Sequence, residues 1–315
     1  MVQLSIIIPH YNSTKLLSTL LETIPNNSAI QVIVIDDNSN EFCQNKLNKL
    51  ILKENVELYS NYSGVKGAGV CRNIGIKKAI GNWILFADSD DFFIDDFYSI
   101  VKQYFNSSND VIYFVPTSIN LKDGTEAKRH LTYKTRINNY INNPTIETEL
   151  NLRYRFSPPW SKLIKRKLIT ENQIKFDEVI ASNDIMFSTK VGYNLKEFDV
   201  SLKEIYCVTR SEGTLTRTIN KQIFDSRLNV FVNYNRYLKK RISRSEYKLL
   251  NINGAKYLKM SLNFNLLKCV HVLYVLKKNN IRIIDKSYIK PFKFIKTIKT
   301  IKTLIKSKLK KRNIY

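Results

Sequence analysis

Along the first hundred positions, short apolar runs alternate with stretches of helical spacing. Leu4 to Ile8 is a compact apolar run stopped by Pro9, and Gln31 to Ile35 is a second, stopped by Asp36 and Asp37. Between them Leu16, Leu17, Leu20, Leu21 and Ile24 recur at helical intervals, with Ser13 or Thr14 available as a cap, which predicts a helix over Thr14 to Ile24. The alternation continues with a helix over Cys43 to Leu52, a strand over Val56 to Tyr59, a helix over Val70 to Ile80 stopped by Gly81, and a strand over Asn82 to Ala87. Repeated strand–helix units predict an α/β domain with a mostly parallel central sheet and helices on both faces.

Farther along, the pattern predicts a helix over Phe97 to Tyr104 and a strand over Val111 to Pro116. Thr117 to Asn151 is polar and weakly patterned, with a turn at Asp123 and Gly124. Leu163 to Thr170 and Ile185 to Tyr193 read as helices, and Ile205 to Thr209 as a strand. From Lys221 the chain reads as long amphipathic helices rich in Tyr, Leu, Lys and Arg, which predicts a 1–220 domain followed by a basic helical C-terminal region, 221–315.

Charge sharpens that boundary. The 315-residue chain carries a formal +24, yet residues 1–220 hold 26 Lys and Arg against 24 Asp and Glu, while the remainder holds 25 against 3. Chemistry is expected in the nearly neutral part and adhesion in the basic part. Cys43, Cys71, Cys207 and Cys269 are far apart and form no Cys-x-x-Cys pair, which argues against a zinc site or a disulfide framework and fits a reducing cytoplasm. Met1 leads straight into a strand-like run, and no uncharged apolar run approaches the roughly 18 residues of a membrane span, so neither a secretory leader nor a spanning helix is expected.

Three segments carry candidate chemistry. In NWILFADSDDF, Asp88, Ser89, Asp90 and Asp91 follow a buried-strand pattern and stand where a strand leaves its sheet, the usual ligand-binding edge of an α/β fold. Closely packed carboxylates repel, so the cluster is either a seat for a hard divalent cation or an acid-decorated helix start. In VIVIDDNSN, Asp36 and Asp37 hold the same topological position, suited to nucleoside donors or to capping the next helix. SNYSGVKGAGVCRNIG opens a helix with Gly64, Gly67 and Gly69, lacks a P-loop ending, and presents Arg72 on the first turns, where a guanidinium can grip a diphosphate.

In that order and spacing, SIIIPHYN, IDDNSN and GVCRNIGIKKAIGNWILFADSDDF resemble the inverting nucleotide-sugar glycosyltransferases of family 2, which have the GT-A fold. The resemblance covers residues 1–100 and extends more weakly to about 215. It implies that Pro9, Tyr11 and Asp37 line a nucleoside pocket, with Asp36 and Ser89 in the same donor site and Arg72 assisting. It further implies that Asp88 contacts the ribose and that Asp90 holds the Mn²⁺ or Mg²⁺ bridging the donor diphosphate. PPWSKLIKRKLI resembles the acceptor-side segment, with Trp160, and Phe176 to Phe187 resembles the segment of the catalytic base, here Asp184. Asn183 stands where the family usually carries an acid, Cys71 where Ala is usual, and His10 follows Pro9 as a milder departure.

The chemistry asks for the same division of labour. Sugar transfer to a hydroxyl needs a base for the acceptor proton and a cation for the leaving phosphates, roles for Asp184 and Asp90. Nothing in the sequence asks for a nucleophile or for histidine catalysis, since His10, His130 and His271 are the only histidines.

From Ile289 the sequence places Ile295, Ile298, Ile301, Ile305 and Leu309 on one helical face and Lys296, Lys299, Lys302, Lys306 and Lys310 on the next, an amphipathic helix over 289–312 with Pro291 in its first turn. Such a helix suits an anionic membrane surface. The expected protein is therefore cytoplasmic, peripheral on the inner face of the cell membrane. It would transfer sugar from a UDP-linked donor to a lipid-linked bacterial surface glycan, such as capsule or lipooligosaccharide. Two other readings fit the sequence: a non-catalytic nucleotide-sugar-binding scaffold, which Asn183 favours, and a nucleic-acid-binding protein using the tail. The absence of a recognised nucleic-acid fold speaks against the latter, so no nucleic acid is expected. The Tyr- and Leu-rich helices after residue 221 can pair between chains as a homo-oligomer.

Overall fold

In a computed structural model, the structure describes residues 1–50, 53–210 and 220–283. Two compact units divide the chain, Met1–Val230 and the part from Phe231 onward.

The first unit opens as a βα alternation: β1 (Leu4–His10), α1 (Thr14–Glu22), β2 (Ile30–Asp36), α2 (Glu41–Leu50), β3 (Val56–Ser60), α3 (Ala68–Lys78) and β4 (Trp83–Phe86). All seven residues of β1 and of β2 are buried, as strands covered on both faces must be. The core side of α1 is made by Leu17, Leu20 and Leu21, three of the five residues its spacing selects, while Leu16 is only half-buried. Gly75 lets α3 press onto the sheet: a Cβ there would fall 3.0 Å from Ile35 Cδ1 and closer still to Ile7. β1 to β4 are mutually parallel in the order β3-β2-β1-β4, so their carboxyl ends share one edge.

The unit continues with β5 (Phe92–Phe93), α4 (Phe97–Lys102), β6 (Val111–Asn120), α5 (Leu131–Asn142), α6 (Ile146–Arg155), β7 (Lys162–Lys165), α7 (Arg166–Glu171), α8 (Asn183–Asn194) and β8 (Phe198–Arg210). The sheet is completed in the order β4-β7-β6-β8-β5 and is mixed rather than mostly parallel. β7 runs antiparallel to both β4 and β6, and β5 runs antiparallel to β8, while β6 and β8 are parallel.

Local pattern gave way to pairing in two places. Leu163 to Thr170 is a strand followed by a helix, because Leu163 and Ile164 fill the gap between β4 and β6, pairing with Ile112 and Ile84. The weakly patterned stretch from Thr117 contains the end of β6 and two helices. α6 starts at a capping box between Thr145 and Thr148, in which Thr replaces the usual Glu or Gln.

The second unit takes in most of α9 (Lys221–Arg241), then α10 (Arg244–Leu249), α11 (Ala255–Ser261) and α12 (Leu266–Lys278). After one long helix come three shorter ones. α10 is capped by Ser243 and Glu246, the rings of Phe231 and Tyr257 stack 4.6 Å apart, and Gly254 lies against Leu276. Lys239 Nζ donates to the carbonyls of Asn279 and Asn280, at 3.0 and 2.8 Å, satisfying chain ends just past α12. Among the described residues no helix is long and apolar enough to cross a membrane. The helix expected over 289–312 lies outside the described residues.

Candidate active site

The common carboxyl edge of β1, β2, β3 and β4 gathers the candidate residues, and hydrogen bonding sorts them into occupied and free groups. Asp36 is buried and fully engaged: His10 Nδ1 lies 3.0 Å from its Oδ1, and the Ser39 amide donates to its Oδ2 at 3.1 Å. The Ser13 amide donates to His10 Nε2, which therefore carries no proton and leaves Nδ1–H to donate to Asp36. Burial above all holds the His10 pKa below its ordinary value, and Asp36 opposes the shift. The pair pins the ends of β1 and β2, which are register partners at His10 and Asp36. The bonds of His10 thus hold strand ends together.

Asp37 ties the glycine loop to the sheet, accepting from Asn61 Nδ2 at 2.6 Å and from the Gly67 amide at 2.8 Å. Gly67 needs its freedom, since its φ is +138°. Pro9 is buried, whereas Tyr11 is exposed beside Lys66, whose Nζ stands 4.9 Å from the ring centroid. Ser89 Oγ meets Ser13 Oγ at 2.9 Å.

Arg72 is the joint of the site. Its buried guanidinium pairs with Asp88 through Nη2, donates through Nη1 to Asn183 Oδ1 at 2.9 Å, and lies 5.2 Å from the Phe176 ring. One cation thus links the acid cluster after β4 to the start of α8. With Asn at 183 instead of an acid, that guanidinium is ion-paired with one carboxylate, Asp88, among the described residues. Gly69 permits the approach: a Cβ there would lie 3.1 Å from Asn183 Cβ and would collide with the Asp177 carbonyl.

Asp88, Asp90 and Asp91 bring carboxylate oxygens within 4.8 Å of one another. Asp91 is buried and occupied, taking the Tyr206 hydroxyl at 2.9 Å and the Thr209 amide at 2.7 Å. Burial, then Asp88 and Asp90, push its pKa well above the carboxylate range. Tyr206 also accepts the Asp88 amide at 2.8 Å, so one phenol on β8 fixes both ends of the acidic turn. Asp90 differs: no other described residue donates to its carboxyl, and burial followed by Asp88 raises its pKa against the pull of Arg129 and Arg72. A set of hard oxygens with one uncommitted carboxylate and unrelieved repulsion fits a divalent cation.

Asp184, in the first turn of α8, is likewise free of donors from other described residues. Burial raises its pKa, with Arg72 opposing most strongly, Asp88 adding to the rise and Lys162 also opposing it. Lys162 is buried, donating to the Phe156 carbonyl at 2.5 Å and to Ser188 Oγ at 3.0 Å, and burial lowers its pKa to about 7. Trp160, expected on the acceptor side, is 2 % exposed and stacks on Tyr206 at 5.9 Å. It offers no open ring face to a sugar and instead supports the phenol beneath the acid cluster.

The sequence profile described as Glycosyl transferase family 2 matches residues 5–172, more than half of the chain. The chain belongs to glycosyl transferase family 2. Similar family members include the poly(ribitol-phosphate) beta-N-acetylglucosaminyltransferase TarS of Staphylococcus aureus, 27% identical over 220 residues, covering 68% of this chain and 36% of TarS. The poly(ribitol-phosphate) beta-glucosyltransferase of Bacillus spizizenii is 28% identical over 220 residues, covering 67% and 33%. The match thus spans about a third of these relatives' own length. Among solved structures, a fragment of S. aureus TarS in complex with UDP-GlcNAc superposes with a TM-score of 0.69 at 20% identity, covering 88% of this chain and 80% of the fragment. The mannosyltransferase PcManGT from Pyrobaculum calidifontis, in complex with GDP-Man and Mn²⁺, gives 0.54 at 14% identity, covering 98% and 86%. These likenesses establish the GT-A fold of the family.

Sequence reasoning missed Tyr206, because its role depends on a pairing between residues 118 positions apart. Tyr206→Phe strips the clamp from this family 2 site and leaves a buried carboxylate and an amide short of partners. A loss of about 2 kcal/mol in urea unfolding is expected, against almost none for Tyr62→Phe, whose side chain is 88% exposed. Equal effects of the two substitutions would remove the clamp from the account.

Proposed function

We propose that the Met1–Val230 unit transfers a sugar from a nucleoside diphosphate, most simply UDP, to a hydroxyl of a bacterial surface glycan in one inverting displacement. The observation that carries this reading is the contrast among the carboxylates. Asp36, Asp37 and Asp91 are occupied by structural bonds, whereas Asp90 and Asp184 are free of donors from other described residues, and Arg72 bridges the segments that carry them through Asp88 and Asn183.

Asp184 takes the acceptor proton as the hydroxyl oxygen forms a bond to the anomeric carbon, and the opposite bond to the diphosphate oxygen breaks with its electrons leaving on phosphate. The elevated pKa of Asp184 makes it a stronger base than an ordinary carboxylate. Arg72 holds fixed positive charge between the two halves of the site. Asp90, with Asp88 beside it, would hold Mn²⁺ or Mg²⁺, which when bound neutralises charge on the leaving diphosphate. On this reading Tyr11 and Asp37 border the nucleoside region, Asp88 contacts the ribose and Ser89 lies in the same donor site. The names of the relatives, transferases acting on poly(ribitol-phosphate), support a surface polymer as acceptor; capsule and lipooligosaccharide belong to the same class. The excess of Lys and Arg after residue 220 supports a protein that works against the inner face of the cell membrane.

The test is a panel of nucleotide sugars incubated with the protein, with Mn²⁺ or with EDTA, reading nucleoside diphosphate release. Release from one or a few donors, abolished by EDTA, is expected. Binding of a donor without release from any would favour the scaffold reading that Asn183 keeps open.

A further inference from the structure

α12 carries two apolar faces, one buried and one exposed. Cys269, Val272 and Leu276 point into the second unit and are buried. On the other side Leu266, Leu267, Val270, Leu273 and Tyr274 are 73%, 79%, 56%, 37% and 60% exposed. At 100° per residue they share an arc about 120° wide, centred roughly 130° around the helix from the buried three. Exposed Lys277 and Lys278 close the stripe at its C-terminal end, with Lys278 Nζ 5.7 Å from the Tyr274 ring. Scattered exposed apolar residues need no explanation, but five on one short helix face do.

Charge decides what covers it. Residues 231–283 hold 12 Lys and Arg against one acid, Glu246. A second copy of this face would bring like charge against like. The remaining 284–315 segment is no better suited, with 11 Lys and Arg against Asp285. Nucleic acid would answer the charge but leave the aliphatic stripe in water. An anionic bilayer answers both, taking the stripe at the acyl boundary and the lysines among its headgroups.

We propose that the outward face of α12 docks on an anionic lipid bilayer. This rests on the membrane reading above but not on the 289–312 helix or on the transfer reaction. Its insertion can be read at one position. The two native tryptophans, Trp83 and Trp160, are 0% and 2% exposed, so Tyr274→Trp in the full chain adds the one indole that starts in water.

With vesicles of phosphatidylcholine containing phosphatidylglycerol, the introduced indole is expected to shift to the blue, with no shift on phosphatidylcholine alone. Leu267→Gln/Val270→Gln/Tyr274→Gln, which touches only exposed positions, is expected to weaken co-sedimentation on the order of thirtyfold. No co-sedimentation of the wild-type chain would overturn both this proposal and the membrane reading. Co-sedimentation without a spectral shift would overturn this proposal alone and assign binding to another basic segment. A concentration-dependent shift without vesicles would overturn it in favour of self-association.

Discussion

Asp184→Asn is expected to lower sugar transfer by about 10³-fold while donor affinity changes no more than about twofold. The split follows from where Asp184 stands. It lies at the start of α8, and the acid cluster that would hold the donor phosphates follows β4, so its loss removes proton acceptance without dismantling the donor seat. Asn is close to isosteric and the carboxyl takes no bond from another described residue, so folding is expected to be unaffected. The measurement is kcat by transfer assay beside donor Kd by calorimetry. Full activity in Asp184→Asn would require another base. A parallel loss of donor affinity would place Asp184 in the donor seat instead.

The pH profile gives the same residue a second signature. A general base works only when deprotonated, and burial raises the Asp184 pKa, so activity is lost as pH falls through a value above the ordinary carboxylate range of about 4. Lys162, with its pKa lowered to about 7, supplies part of the attraction that holds Asp184 down. As pH rises Lys162 loses its proton and that attraction fades, so the acid limb of kcat/KM should be shallower than a single titration. A limb at the ordinary carboxylate position with unit slope would contradict this environment.

Much of the fold could be read from apolar spacing, because β1, β2, β4, α1 and α3 are held by the residues that announce them. Ile6 to Ile8 and Val32 to Ile35 are wholly buried, and of the five residues picked out by helical spacing Leu17, Leu20, Leu21 and Ile24 are buried. β7 was illegible for the opposite reason. Its four residues, Lys162 to Lys165, owe their extension to neighbours on two other strands, and a buried lysine looks polar in sequence. α5 and α6 were hidden by exposure, since α5 buries only Ile137, although the Thr145 cap was available as a signal. In the site, ordered motifs located the acids, but only the hydrogen bonds reveal which are already occupied. Asp36 and Asp90 look equally available in sequence; His10 and Ser39 occupy the first and no other described residue occupies the second. Trp160 shows the same gap between chemistry and placement, as its flanking prolines suggest an exposed bend while Tyr206 and Tyr133 enclose it.

Asp90→Asn is expected to reduce Mn²⁺ affinity and donor turnover by at least about a hundredfold, with little change in stability, whereas Asp91→Ala should do the reverse. The three acids are neighbours in sequence, so proximity alone would assign them similar effects. Their bonds do not. Asp91 spends both oxygens on Tyr206 and Thr209, and its removal leaves a buried phenol O–H and a buried amide N–H without acceptors, costing about 2 kcal/mol. Asp88 spends one oxygen on Arg72 and should fall between the two. Asp90 takes no donor from any other described residue and has a pKa raised by burial and by Asp88, a repulsion that a cation would relieve. Direct Mn²⁺ titration by calorimetry, paired with urea unfolding of the same variants, separates the two effects without relying on turnover. If Asp90→Asn kept its Mn²⁺ affinity while Asp91→Ala lost it, the roles would have to be exchanged, and with them the argument that the unoccupied carboxylate is the one set aside for the metal.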